Sequence, residues 1–143
     1  MSVTVAGAGL ALRSNDDVTL LFQVYGTRIT QKNSKTDPIV YIPIPNPQST
    51  TMKLKTVRVD CFGSGNAGKV GMVNEVEVYY GSQSIYDSSS DLGKSSPFSE
   101  NVGSAAKQAD VSSYGINVTL HLSLPDTSSS ITLSSVDLTF SDS

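Results

Sequence analysis

Apolar residues in this chain recur at every second position, run after run. Val18, Leu20, Phe22 and Val24 alternate with Thr19, Leu21, Gln23 and Tyr25. Val57, Val59 and Cys61 alternate with Thr56, Arg58 and Asp60, and Val76, Val78 and Tyr80 alternate with Glu75, Glu77 and Tyr79. Val118, Leu120, Leu122 and Leu124 alternate with Asn117, Thr119, His121 and Ser123, and Val136, Leu138 and Phe140 close the series. A period of two places apolar side chains on one face and polar ones on the other, the pattern of an antiparallel strand covered on one side. No segment carries a helical stripe; residues 104–110 have room for a turn or two at most.

Turn chemistry divides the runs: Ser14-Asn15-Asp16-Asp17, residues 33–38, Asn46-Pro47, residues 63–68, Gly81-Ser82 and Pro125-Asp126. Many short strands with frequent turns predict an all-β fold, a single domain over residues 1–143 built as an antiparallel two-sheet sandwich of jelly-roll type. The predicted core is Val18, Leu20, Phe22, Val57, Val59, Val76, Val78, Val118, Leu120, Leu122, Leu138 and Phe140. Leu54 is out of phase with Val57, which predicts a bulge or bend between them. Tyr41-Ile42-Pro43-Ile44-Pro45 is apolar but loses a ladder donor at each proline, so it belongs at an edge or in a crossover. Ile85 and Tyr86 are expected to fold back in a hairpin across Gly81-Ser82. The polar, serine-rich stretch 83–113 is predicted to form a mobile flap over the ligand-facing end.

A chain of 143 residues buries about 70% of the surface its unfolded form exposes, so the fold needs neither disulfide nor metal. The lone Cys61 cannot form an internal disulfide and reads as a buried thiol. With 10 basic and 13 acidic residues, no basic cluster and a net charge of −3, nucleic-acid binding is disfavoured. No apolar run approaches the roughly 20 residues of a membrane helix, so no membrane span is expected. The start, Met1-Ser2-Val3-Thr4-Val5, has no basic-then-apolar signal pattern, from which a cytoplasmic location, or release without a signal, is the expectation. Only 16% of the residues are charged, and Leu21, Tyr25, Phe62 and Tyr79 lie in outward phases, so a homo-oligomer is expected.

Several motifs match without their chemistry. Gly63-Ser64-Gly65-Asn66-Ala67-Gly68 spells a dinucleotide fingerprint, but a strand follows where a helix must receive the phosphate, and Val70 stands where a phosphate loop needs Ser or Thr. It is read as a glycine-rich hairpin connection. Gly7-Ala8-Gly9 likewise lacks a following βαβ unit. One histidine and one cysteine make no nitrogen-sulfur zinc site. His121 lies on a polar strand face with no partner legible in its own strand, and Glu75 and Glu77, roughly 7 Å apart along theirs, read as a solvated face. Asn15-Asp16-Asp17 and Asp87-Ser88-Ser89-Ser90-Asp91 are oxygen-rich but lack the spacing of a calcium loop. No cofactor, metal or catalytic residue is therefore assigned.

Val40-Tyr41-Ile42-Pro43-Ile44-Pro45, the strand 54–62, Val76-Glu77-Val78-Tyr79-Tyr80-Gly81 with Ile85, and the closing strand 131–140 together resemble an uncharacterised family of small all-β microbial proteins with an Ile-Pro-x-Pro segment. The resemblance covers about half the chain and lacks the family's tryptophan ahead of that segment. It implies a β-sandwich and no particular activity.

Two functions fit such a chain. One is a non-catalytic, lectin-like binding module for a small hydroxylated ligand or a protein partner, with Tyr86, Asp87, Asp91 and Phe98 of the flap as ligand-binding residues. Without tryptophan, Tyr25, Tyr41, Tyr79, Tyr80, Tyr86 and Tyr114 are the rings available for stacking. The other is a cofactor-independent cyclase or isomerase with a pocket between the sheets, marked by a polar residue in a core phase, for which Ser135 and Gln23 are the candidates.

Overall fold

A computed structural model describes residues 2–8, 13–14, 18–47, 52–103 and 115–141. Eleven strands follow one another: β1 (Ser2–Ala8), β2 (Arg13–Ser14), β3 (Val18–Gln23), β4 (Gly26–Gln31), β5 (Ile39–Ile44), β6 (Lys53–Ser64), β7 (Met72–Tyr80), β8 (Gln83–Asp87), β9 (Phe98–Asn101), β10 (Ile116–Ser123) and β11 (Ser130–Ser141). They form two antiparallel sheets, and no residue described is helical. The larger sheet runs β3-β4-β11-β6-β9, with β1 also on β11; the smaller runs β2-β5-β10-β7-β8. This is the two-sheet sandwich that the alternation predicts. No helix among the described residues is long and apolar enough to cross a membrane. The predicted turns at 15–17 and 104–110 lie outside the described residues.

The inward phases of both sheets meet in one core. Val57, Val59, Val76, Val78, Val118, Leu138 and Phe140 are fully buried, with Leu120 and Leu122 nearly so. Two of the twelve predicted core residues depart from that set. Leu20 is only half-buried, and Phe22 is 55% exposed. Phe22 keeps the inward phase of Val18, but β3 is an edge strand and Phe22 stands next to its turn, where cover ends. Conversely Tyr80, a candidate stacking ring, is fully buried in the core.

The predicted bulge is present. Phe140 pairs with Leu54 and Thr139 with Thr56, so Lys55 is the extra residue that carries the strand from one phase to the other. A second bulge leaves Ser134 unpaired with β6 and shifts the phase of β11. There β11 also changes partners on its other edge, from β4 at residues 130–133 to β1 at residues 135–141. The proline strand β5 is next to the edge: β2 pairs only with Val40 and Tyr41, so Pro43 lies beyond that pairing. The β7–β8 hairpin closes across Gly81-Ser82 as expected.

Two connections differ from expectation. Residues 63–71 do not close a hairpin, because β6 and β7 lie in different sheets; they form an arch between the sheets. The arch is tight. A Cβ on Gly63 would stand 1.9 Å from the Gly71 carbonyl oxygen, and one on Gly71 would stand 2.1 Å from that of Ser130. The glycines there serve close backbone approach, and no helix follows them to hold a nucleotide.

The described part of 83–113 is likewise not a flap. After β8 on the edge of the smaller sheet, the chain crosses to β9 on the edge of the larger one, forming a side wall. Backbone bonds tie it throughout: Ser88 N to Val76 O at 2.9 Å, Leu92 N to Asn74 O at 2.9 Å, Gly63 N to Ser95 O at 2.8 Å and Val102 N to Lys55 O at 2.8 Å. Polar composition made this segment look like a loop; its amides and carbonyls instead complete two sheet edges. Residues 104–113 lie outside the described set.

Candidate functional site

The larger sheet's outer face is where this structure is most unusual. Strand register aligns Leu21 with Arg28, Arg28 with Thr132, and Thr132 with Phe62, a single row across β3, β4, β11 and β6. All are in the outward phase. Around this row is a groove of about 470 Å³. Tyr25 and Phe62 bound it, and Gln23, Arg28, Ser64, Ser130, Thr132 and Ser134 supply its polar lining. Tyr25 is 67% exposed and Phe62 66%. Because β4 and β6 flank β11, Arg28 and Phe62 are two strand spacings, roughly 10 Å, apart, and Tyr25 lies three residues before Arg28 in the chain.

Tyr25 stands in the turn that joins β3 to β4. Val24 and Tyr25 form a two-residue turn between Gln23 and Gly26, and neither has a positive φ. The turn is therefore not one of the primed types whose twist matches a hairpin. Val24 is entirely solvent-exposed beside it. Large apolar side chains left in water on one face cost stability unless something covers them, and such patches mark binding surfaces. Within the groove the Oε1 atom of Gln23 is buried and has no hydrogen-bond partner among the described residues. A buried acceptor left unpaired costs about 1–3 kcal/mol.

The outer face of the smaller sheet holds a second cluster. Register places His121 opposite Glu75, and Glu77 opposite Asp87. Tyr79 Oη donates to Glu77, and so does His121 Nε2. The side chain of Glu77 is only 14% exposed, so it is not the freely solvated carboxylate its strand position implies. Burial pushes the Glu77 carboxyl up, but the bonds from Tyr79 and His121 outweigh it and hold the group below the usual carboxylate range. Glu75 is pushed up, first by a hydrogen bond with Asp87 and then by burial and the Asp87 charge. Tyr79 is raised to about 12, chiefly by its bond to Glu77. The ligand atoms of Glu75, Glu77 and His121 lie within 4.8 Å of one another, a set able to offer one nitrogen and two carboxylate oxygens to a divalent cation.

The sequence-predicted site residues are dispersed. Tyr86 and Asp87 lie on β8, Asp87 within the Glu75 cluster, while Asp91 is exposed on the side wall. Phe98 pairs with Val59 and is only 8% exposed, so it belongs to the core. None of these four lines the groove. Of the other candidates, Gln23 faces the groove from the outer phase, Ser135 stands outward opposite Asp60, and Tyr114 lies outside the described residues. The outward phase of Tyr25 and Phe62 was legible; their convergence was not, since they are 37 positions apart in sequence.

Cys61 is the buried thiol its phase predicts, near Ser96 O at 3.6 Å and raised to about 11 by burial and then by Asp60.

In fold the chain is similar to xylan-binding modules. A low-affinity xylan-binding module, CBM86, from Roseburia intestinalis aligns with a TM-score of 0.59 at 12% identity, over 97% of this chain and 96% of that one. The xylan-binding module CBM15 aligns with a TM-score of 0.54 at 10% identity, over 99% and 97%. The CBM36-1 domain of a multidomain xylanase from the hindgut metagenome of Trinervitermes trinervoides aligns with a TM-score of 0.53 at 7% identity, over 95% and 96%. At such identities the likeness is one of fold alone, a two-sheet β-sandwich. No protein-family model matches the chain, and no curated protein does.

Proposed function

We propose that this protein is a non-catalytic glycan-binding module whose groove on the outer face of the larger sheet takes a segment of polysaccharide. One observation carries the reading: Tyr25 and Phe62, both mostly exposed, bound a floor of hydroxyl and amide groups. Sugar rings are amphipathic in the matching way. Their C–H faces lie against aromatic rings, and their hydroxyls need donors and acceptors at the edge. Ser64, Thr132 and Ser134 offer hydroxyls. The space between the sheets, where an enclosed reaction pocket would lie, is instead packed with core side chains. The similarity in fold to xylan-binding modules agrees with the reading.

Isothermal titration against soluble plant polysaccharides and their oligomers tests it. Tyr25→Ala and Phe62→Ala should each weaken binding by about tenfold, which corresponds to about 1.4 kcal/mol, with the melting temperature preserved. Binding that survives both substitutions would place the ligand elsewhere.

A further inference from the structure

We infer that the groove selects an acidic glycan, a chain carrying uronate carboxylates, and that Arg28 reads the carboxylate. This rests on the glycan-binding reading of the same groove and specifies its ligand.

The groove's lining contains one charged side chain, Arg28, in a chain whose net charge is −3. Arg28 is exposed at the centre of the row between Leu21 and Thr132, one strand away from β11 and two from Phe62. Among the described residues no carboxylate pairs with its guanidinium and no hydrogen bond engages it. Other charges on this sheet are better placed to offset one another. Arg58, on the same outer face, stands directly opposite Asp137.

A ligand seated over Arg28 takes water from it. Under a neutral sugar the guanidinium keeps its charge and loses part of its hydration, which costs binding energy. Under a carboxylate it gains two parallel charge-assisted bonds, because its planar fork matches the two oxygens. The hydroxyls of Ser64, Thr132 and Ser134 impose a second requirement, hydrogen-bonding groups on the same ligand. Tyr25 and Phe62 impose a third, an apolar face. A uronate residue within a glycan meets all three with its carboxylate, its hydroxyls and its ring C–H face. A small organic acid lacks the stacking face, and a neutral glycan lacks the anion.

The experiment measures affinity for matched pairs: a uronate-bearing oligosaccharide, the same oligosaccharide with its carboxyl groups reduced to alcohols, and a sulfated neutral oligosaccharide of equal length. The wild-type protein should bind the uronate form about tenfold more tightly than the reduced form, and this advantage should shrink as salt rises. In Arg28→Gln the ratio should fall to about one. In Arg58→Gln, outside the groove, it should stay as in the wild type. Equal affinity for the uronate and reduced forms, with binding still dependent on Tyr25 and Phe62, overturns the acidic preference and leaves the glycan reading standing. A sulfated chain that binds more tightly than the uronate overturns the assignment of the carboxylate. If no form binds, both readings fall together.

Discussion

Truncating Leu120 to alanine tests the core where both sheets depend on it. Leu120 is 1% exposed at the middle of β10, between Val40 of β5 and Val76 of β7. The substitution deletes about three methylene-sized carbons, worth about 2.4 kcal/mol at ~0.8 kcal/mol each. A residual cavity adds roughly 24 cal/mol per Å³, so a void of about 50 Å³ contributes ~1.2 kcal/mol more. The expected loss is therefore about 3.6 kcal/mol, within the range of about 2–5 kcal/mol seen for such truncations. For a domain of this size the melting temperature should fall by roughly 10 °C. Leu21→Ala is the control, since Leu21 is 52% exposed on the outer face and should change stability by about 0.5 kcal/mol or less. Chemical denaturation followed by circular dichroism measures both. A Leu120→Ala loss below about 1 kcal/mol, or equal losses in the two variants, would refute the burial reasoning.

Other consequences are as direct. Cys61 should resist a thiol-reactive dye in the native protein and react fully in denaturant, because its thiol is both buried and held near 11; rapid labelling of the folded form would contradict this. Gly71→Ala should destabilise the fold by about 1–3 kcal/mol, read from its melting temperature, because the added Cβ meets the backbone of Ser130; a neutral effect would mean the arch is looser than described. Glu77 and Glu75 should answer acid oppositely. The lowered Glu77 contributes stability above the ordinary carboxylate range and loses it as pH falls through its folded value, so Glu77→Gln should cost most near neutrality and least in acid. The raised Glu75 favours the fold only while protonated and loses that contribution as pH rises through its folded value, so Glu75→Gln should be better tolerated near neutrality than in acid. Melts between pH 7 and pH 3 that run parallel for the two variants would remove the assigned contacts.

Whatever concerns one strand at a time was legible. Alternation fixes which side chains share a face, so Val57, Val59, Val76, Val78, Val118 and Leu138 identify themselves as core, and the break in phase between Leu54 and Val57 marks its own bulge. The missing amide of Pro43 predicts an edge strand or a crossover, but β5 pairs along its length with β10 and carries β2 on its other side at Val40 and Tyr41, so it lies next to the edge rather than at it.

Whatever depends on which strand lies beside which was decided by the tertiary structure. Phase says that Phe22 points inward, yet only its place on an edge strand leaves it exposed. Residues 63–68 look like a hairpin connection until β6 and β7 are assigned to different sheets. Residues 83–103 look like a loop until their backbone groups find two sheet edges. The groove and the Glu77–His121 contact are of this kind as well. Gln23, Phe62 and Ser134 come together only because β11 pairs with both β4 and β6, and Glu77 meets His121 only because β7 pairs with β10. Periodicity is a property of neighbours along the chain, whereas a binding surface on a sheet is a property of neighbours across it, set by the burial of the whole core rather than by any one strand.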